Sequence, residues 1–247
     1  MVPQSLAPLF RKLSGFAALR PEEIAAVAKA FGRPTVYRPK ADLPLRRGGG
    51  NRAFLIEEGW GYTYKLLKDG SRQVIDIGVA GDILAMRSLL LQSSDVAAAM
   101  ATAGVVRELA WSSFESVVVS APRAAAALLW ASSVDEALVA ERLVDVGRRN
   151  APQRVAHFML ELGTRLFSVG LANGQTYKCP LSQSLIADAL GLTPIHLNRT
   201  LRQLRLANLL VAKDGLVTIL NRTALESLCG YDATYMGQAE PRLIAAE

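Results

Sequence analysis

Several different hydrophobic patterns follow one another along the chain. Residues 5 to 31 read as short helices, and Pro21-Glu22-Glu23 makes a good first turn. Proline is tolerated there, and acids suit the positive end of the helix dipole. From about Thr35 to Leu109 the period shortens to β-rich runs separated by turn residues: FLIEEGWGYTYKLL, KDGS, RQVIDIGVAGDIL and VAAAMATAGVVREL. Lys68-Asp69-Gly70-Ser71 marks a hairpin, and so many short strands predict a small antiparallel barrel or sandwich. Gly48-Gly49-Gly50 reads as a flexible connection; no Lys-Ser/Thr follows it, so it is not a phosphate-cradling loop.

A proline-free helical stretch comes next. Ser120 is placed to cap it, Pro122 to sit in its first turn, and it runs through Arg149. About 28 residues span roughly 42 Å. Leu128, Ala131, Asp135, Leu138, Arg142 and Asp145 fall on one stripe, flanked by Ala127, Val134 and Val139, and predict a heptad-like dimer seam with polar interruptions. A further helix spans about Pro152 to Phe167, and Tyr177-Lys178-Cys179 reads as a short strand.

Two close-set helices follow. Ser182 is the expected cap of the first, which carries Leu185, Ile186, Ala189 and Leu190 at helical spacing. Thr193 is the expected cap of the second, with Pro194 at its first position and Leu197, Leu201 and Leu204 as its buried stripe. Small Ala187 permits close approach, Gly191 makes the turn, and Leu197 plugs the angle; this is the helix-turn-helix layout. Leu209–Ala212 and Leu216–Leu220, joined by Lys213-Asp214-Gly215, predict a β-hairpin wing directly after it.

Charge sharpens this reading. From Arg148 to Gly230 there are ten Lys/Arg against four Asp/Glu, whereas residues 1–147 carry seventeen against fifteen. A localised basic excess suits a polyanion. On the second helix Arg199 is placed to fork onto guanine O6 and N7, Asn198 to pair with adenine or hold a phosphate, and Ile195 to touch a thymine methyl. Arg202, Arg205, Lys213 and Gln183 suit phosphates; Thr193, Pro194 and His196 at the helix start complete the DNA-facing set.

Other classes find little support. The two cysteines, Cys179 and Cys229, make no disulfide framework, and the two histidines, His157 and His196, show no zinc-ligand spacing. No Ser-His-Asp layout is present, and Glu57-Glu58, adjacent on a strand, point to opposite faces. No apolar run reaches the roughly 20 residues of a membrane span, and Arg11-Lys12 follow the apolar start instead of preceding it, the wrong order for a secretory signal. The expectation is a cytoplasmic, non-enzymatic protein with no cofactor, no metal and no membrane partner.

The order of parts, with LSQSLIADALGLTPIHLNRTLRQLRLANLL near the C-terminus and EEGWGYTYKLLKDGSRQVIDIGVAGDIL in the β-rich region, resembles the Crp/Fnr family of bacterial transcription regulators over nearly the whole chain. The resemblance implies an α+β chain. Its parts would be an N-terminal antiparallel β-roll, jelly-roll-like, as sensor domain (1–119), a long dimerisation helix (120–149), a winged helix-turn-helix domain (150–230) and a tail (231–247). It implies a homodimer on a near-palindromic site in double-stranded DNA, with RNA polymerase as a further partner if the protein is an activator. Arg199 matches the family's base-reading arginine, while Ile195 stands where many members carry a glutamate.

Members that bind cyclic AMP hold its phosphate with a Gly-Glu and a later arginine. Here Gly81-Asp82 takes the first place, and SDVAAAM lacks the arginine, leaving Arg87 as the nearest substitute. The alternative reading is therefore a cyclic-nucleotide or other small-molecule receptor built on Gly81, Asp82 and Arg87. The N-terminal cysteine cluster of iron–sulfur members and the sensor histidine of haem members are missing. Another small-molecule effector, a redox effect at Cys179, or no effector at all remain.

Overall fold

The β-rich runs fold, in the computed structural model, into two antiparallel sheets; the structure describes residues 4–91 and 96–237. One sheet is ordered β1 (Thr35–Tyr37), β8 (Gly104–Ala110), β3 (Gly50–Glu58), β2 (Arg46–Arg47), with β6 (Ile83–Leu84) also paired to β3. The other is ordered β5 (Arg72–Gly78), β4 (Gly61–Leu66), β7 (Ala97–Met100). Phe54, Ile56, Leu84, Met100 and Val106 form a core of this roll. Gly61 and Gly78 are cross-strand partners, and together they open a hole that Leu84 fills. A Cβ would lie 2.8 Å from a Leu84 methyl at Gly61 and 2.7 Å at Gly78. Glu57 is buried and gripped by Arg107 at 2.8 and 3.2 Å, while Glu58 is exposed, as period-2 alternation requires.

Gly48 and Gly49 are not a flexible connection. With φ of 62° and 82° they form the turn between β2 and β3, a pair of left-handed positions that favours glycine.

Helices α1 (Ala7–Ser14), α2 (Pro21–Ala30), α3 (Met86–Leu91) and α4 (Trp111–Ser120) share one buried cluster with Ala53 and Leu55 of β3 and Leu109 of β8. The long helix α5 runs Pro122–Gly147. Ser120 does not cap it: Ser120 ends α4 and bonds back to the Ser116 carbonyl, and Ala121 holds the N-cap position without a side-chain bond.

The stripe of Leu128, Ala131, Leu138, Arg142 and Asp145 is buried within the single chain and so is not available as a dimer seam. Its polar members find internal partners. Asp135 bonds Lys12 at 3.0 Å, Arg142 bonds Glu161 at 3.0 Å and lies 4.7 Å from the Phe158 ring centroid, and Asp145 bonds Arg149 at 2.9 Å. Periodicity identified a buried face; only the fold shows what covers it. The outward face carries Leu129, Glu136, Val139, Leu143 and Val146, all exposed.

The C-terminal region begins with α6 (Ala151–Ser168), started by a reciprocal capping box between Asn150 and Gln153. Then come β9 (Thr176–Lys178), α7 (Gln183–Leu190), α8 (Pro194–Leu206), β10 (Leu210–Lys213), β11 (Leu216–Ile219) and α9 (Arg222–Cys229). One apolar core crosses from roll to C-terminal region: Trp60, Tyr62, Val74 and Ile77 cluster with Leu138 of α5, Phe158 and Leu162 of α6, and Leu185 of α7. Of the tail, residues 231–237 are described, with Tyr231 and Met236 buried; residues 238–247 lie outside the described residues.

Candidate nucleic-acid interface

Local signals build the helix-turn-helix. The Ser182 hydroxyl accepts from the Leu185 N–H, starting α7, and Gly191 at φ 61° ends it. The Thr193 hydroxyl accepts from the His196 N–H, starting α8, with Pro194 at its first position. Ala187 and Leu197 are fully buried between the helices, and Leu204 continues the inner stripe while Leu201 is half-buried. The wing strands β10 and β11 pair in full register, Leu210 with Ile219 through Lys213 with Leu216. Asp214 and Gly215, at φ 52° and 72°, make the two-residue turn, and β9 adds a third strand beside β11.

The inner stripe turns the other residues outward. Ile195 is 84% exposed, and Thr193, Pro194, Asn198, Arg199, Arg202, Arg205 and Lys213 are exposed too; His196 is half-buried. Exposed Gln183, at the start of α7, reaches across to α8, where its Oε1 accepts from Asn198 Nδ2 at 2.9 Å. The sequence gives no sign of this bond, because fifteen residues separate the pair and only the turn at Gly191 joins them. Gln183, Asn198, Arg199, Arg202 and Arg205 line a groove of about 350 Å³ that contains no acidic residue. Among the described residues Arg199, Arg202 and Arg205 have no ion pair or side-chain hydrogen bond. The surface therefore offers cations, amide donors and an apolar tip in one strip. That set can grip phosphates and read base edges.

The positions predicted to hold an effector are placed differently. Asp82 is buried, and its carboxylate accepts from Lys12 at 2.9 Å, Arg165 at 2.6 Å and the Val79 N–H at 2.8 Å. Burial pushes this carboxyl up, but Lys12 and Arg165 outweigh it and hold it at about 2. A Cβ at Gly81 would lie 2.8 Å from the Pro8 backbone, so this glycine serves the docking of α1. Gly81 and Asp82 thus join roll to helices and are not open to a ligand. Arg87 is exposed on α3, whose Met86, Ser88 and Leu89 point inward. Ser94 and Asp95, in the segment compared with the family's phosphate-binding arginine, lie outside the described residues. Cys179 is 5% exposed, and burial pushes its thiol up to about 11, unlike a reactive thiolate. Among the described residues no His/Cys/Asp/Glu group is arranged to hold a metal, and no helix is long and apolar enough to cross a membrane.

The comparisons with known proteins agree with this geometry. Residues 153–228 match the model of the Crp-like helix-turn-helix domain. The nitrogen fixation regulation protein FixK of Bradyrhizobium diazoefficiens is 29% identical over 173 residues, covering 70% of this chain and 72% of that protein. The transcriptional activatory protein AadR of Rhodopseudomonas palustris is 26% identical over 194 residues, covering 78% and 79%. The solved structure of FixK2 from Bradyrhizobium japonicum superposes with a TM-score of 0.71 at 27% identity, covering 81% of this chain and 98% of that one. These relatives are transcription regulators, not enzymes. The α+β architecture, the helix-turn-helix and the relatives agree: residues 153–228 form a Crp-like helix-turn-helix domain, and the chain as a whole is similar to transcription regulators of the Crp/Fnr family.

Proposed function

We propose that the protein is a homodimeric, sequence-specific transcription regulator that inserts α8 into the major groove of each half of a near-palindromic site. The observation that carries this is the unpartnered basic strip: Arg199, Arg202 and Arg205 stand exposed on a helix whose opposite face is anchored by Leu197 and Leu204. Arg199 forks onto guanine, and Ile195 packs on a thymine methyl where many members would use a glutamate. Arg202, Arg205 and Lys213 hold phosphates, with Thr193, Pro194 and His196 against the backbone at the helix start. Residues 1–119 act as the sensor unit, 120–149 as the dimerisation helix and 150–230 as the DNA-binding unit, in the cytoplasm. RNA polymerase is a further partner if the protein activates, as the name of AadR says of that relative.

The dimer contact is the outward face of α5. Leu129, Ser132, Glu136, Val139, Leu143 and Val146 recur at alternating steps of three and four, the spacing of a two-stranded seam. Leu143, 74% exposed, is its most prominent apolar residue. Leu143→Glu is expected to shift sedimentation from dimer to monomer while the circular dichroism spectrum is retained. A dimer that persists would overturn this seam. The decisive experiment is selection of binding sites from random duplex DNA without added ligand, with a two-fold symmetric site as the expected result and no enriched sequence as the contrary one.

A further inference from the structure

The hydrogen bond between Gln183 and Asn198 joins the two helices of the motif on its exposed side. Both side chains are exposed, and such a bond between neutral amides contributes only about 1 kcal/mol net. Its value lies in orientation. Ordering a free amide at an interface costs affinity, and a side chain already held in its binding geometry avoids that cost.

The chemistry left over on each amide is specific. An asparagine carboxamide has two N–H donors and one carbonyl. Gln183 Oε1 takes one donor of Asn198, and among the described residues neither amide has another side-chain partner. Asn198 keeps one N–H and its carbonyl. That donor–acceptor pair matches the major-groove edge of adenine, where N7 accepts and N6 donates. It mismatches guanine, whose two acceptors would face the carbonyl, and it meets only one group on cytosine or thymine. Gln183 keeps its own amide hydrogens for a phosphate beside the start of α7. A phosphate or an adenine were both open to Asn198 from the sequence; the bond to Gln183 favours the adenine.

We propose that Gln183 is a positioning residue for Asn198, and that Asn198, so held, reads an adenine in each half-site. This rests on the reading of α8 as the recognition helix. The two ideas fail differently in one experiment: binding-site selection from random duplexes with the full-length protein and with Asn198→Ala, Gln183→Glu and Gln183→Lys, followed by titration of the selected site carrying 7-deazaadenine, which lacks the N7 acceptor.

The expected result is a symmetric site with an adenine whose preference disappears in Asn198→Ala while the guanine read by Arg199 stays. In the wild type 7-deazaadenine at that position weakens binding about tenfold or more; in Asn198→Ala it changes nothing. Gln183→Glu keeps an acceptor for Asn198. It retains the adenine preference despite weaker overall binding from its negative charge. Gln183→Lys offers Asn198 no acceptor, and it loses the adenine preference whatever the added charge does to overall affinity. A symmetric site with the same adenine in Asn198→Ala, or equal preference in the two Gln183 variants, overturns the pair and leaves the regulator reading intact. Absence of any enriched site in the wild type overturns both.

Discussion

Six arginines divide this molecule into two electrostatic regions. Arg142, Arg149 and Arg165 have side chains 7, 14 and 8% exposed, and each is matched by carboxylates. Arg165 alone bonds Asp82 at 2.6 Å and the Ile77 carbonyl at 2.8 Å, and pairs with Glu161 at 3.4 Å. Arg199, Arg202 and Arg205 are exposed and, among the described residues, have no such partner. The same side chain does opposite work. Inside, desolvation is severe, so each guanidinium needs carboxylates beside it, and Arg142 and Arg165 share Glu161. Outside, water solvates the charge at little cost, and leaving it unmatched reserves it for a polyanion. Partnering, more than count, separates the two sets of arginines here.

The largest effect that should sharpen this contrast is on stability. Arg165→Ala leaves Asp82 buried beside Lys12 alone, and removing one partner of a buried pair costs about 3–5 kcal/mol. A lowered urea midpoint is expected; an unchanged one would show that the network is ornamental. Arg199→Ala should do the reverse. Its unfolding free energy in urea should stay within about 0.5 kcal/mol of wild type, while loss of one bidentate pairing costs about 1–3 kcal/mol of base discrimination at each half-site. Intact sequence preference in a fluorescence-anisotropy titration would reassign the base reader.

The titration of the inner cluster gives a third test. Burial pushes the Asp76 carboxyl up to about 7, with Asp135 and Asp82 adding to the push and Arg165 opposing it. Asp135 is raised as well, through burial, against the pull of Lys12. The folded protein therefore binds protons that the unfolded chain has released, and stability should fall as pH rises from about 4 to about 7. Asp82 has the opposite sign: held at about 2, its contribution is present above its ordinary value near 3.8 and is lost as pH falls below it. Melting temperatures across pH 3 to 8 should show both slopes, and Asp76→Asn should flatten the upper one. A flat wild-type profile from 4 to 7 would contradict the placement of Asp76. The smallest effect belongs to the wing. Lys213→Ala should weaken binding to all duplexes alike and make the salt dependence shallower, by about 1 in the log–log slope for the phosphate it no longer neutralises. A base-selective change would move Lys213 from phosphate to base.

The helix-turn-helix was legible because its determinants are local. Caps at Ser182 and Thr193, the turn at Gly191 and the plug at Leu197 all lie within sixteen residues. The hairpins at Lys68–Ser71 and Asp214-Gly215 were legible for the same reason. Helix α4 was not: WSSFESVVVS is rich in β-branched and serine residues, which favour helix weakly. It is helical because Phe114 and Val117, three apart, are buried together. The direction of the α5 stripe was hidden too. Asp135 and Arg142 looked like interruptions of a seam, and their partners Lys12 and Glu161 lie 123 and 19 residues away. Asp82 was misassigned for the same reason, since its cations come from α1 and α6.

The core that runs without a break from Trp60 and Tyr62 to Phe158 and Leu185 bears on how this protein can be taken apart. A chain joined by a hydrophilic linker yields stable fragments when cut there. Here a cut after Arg148, between α5 and α6, would leave Phe158, Leu162 and Leu185 without part of their cover on one piece and Trp60 and Ile77 stripped on the other. Neither half inherits a finished surface. The two halves are expected to melt in a single calorimetric transition, and a DNA-binding fragment made alone would need polar replacements along its side of the divide before it stayed in solution.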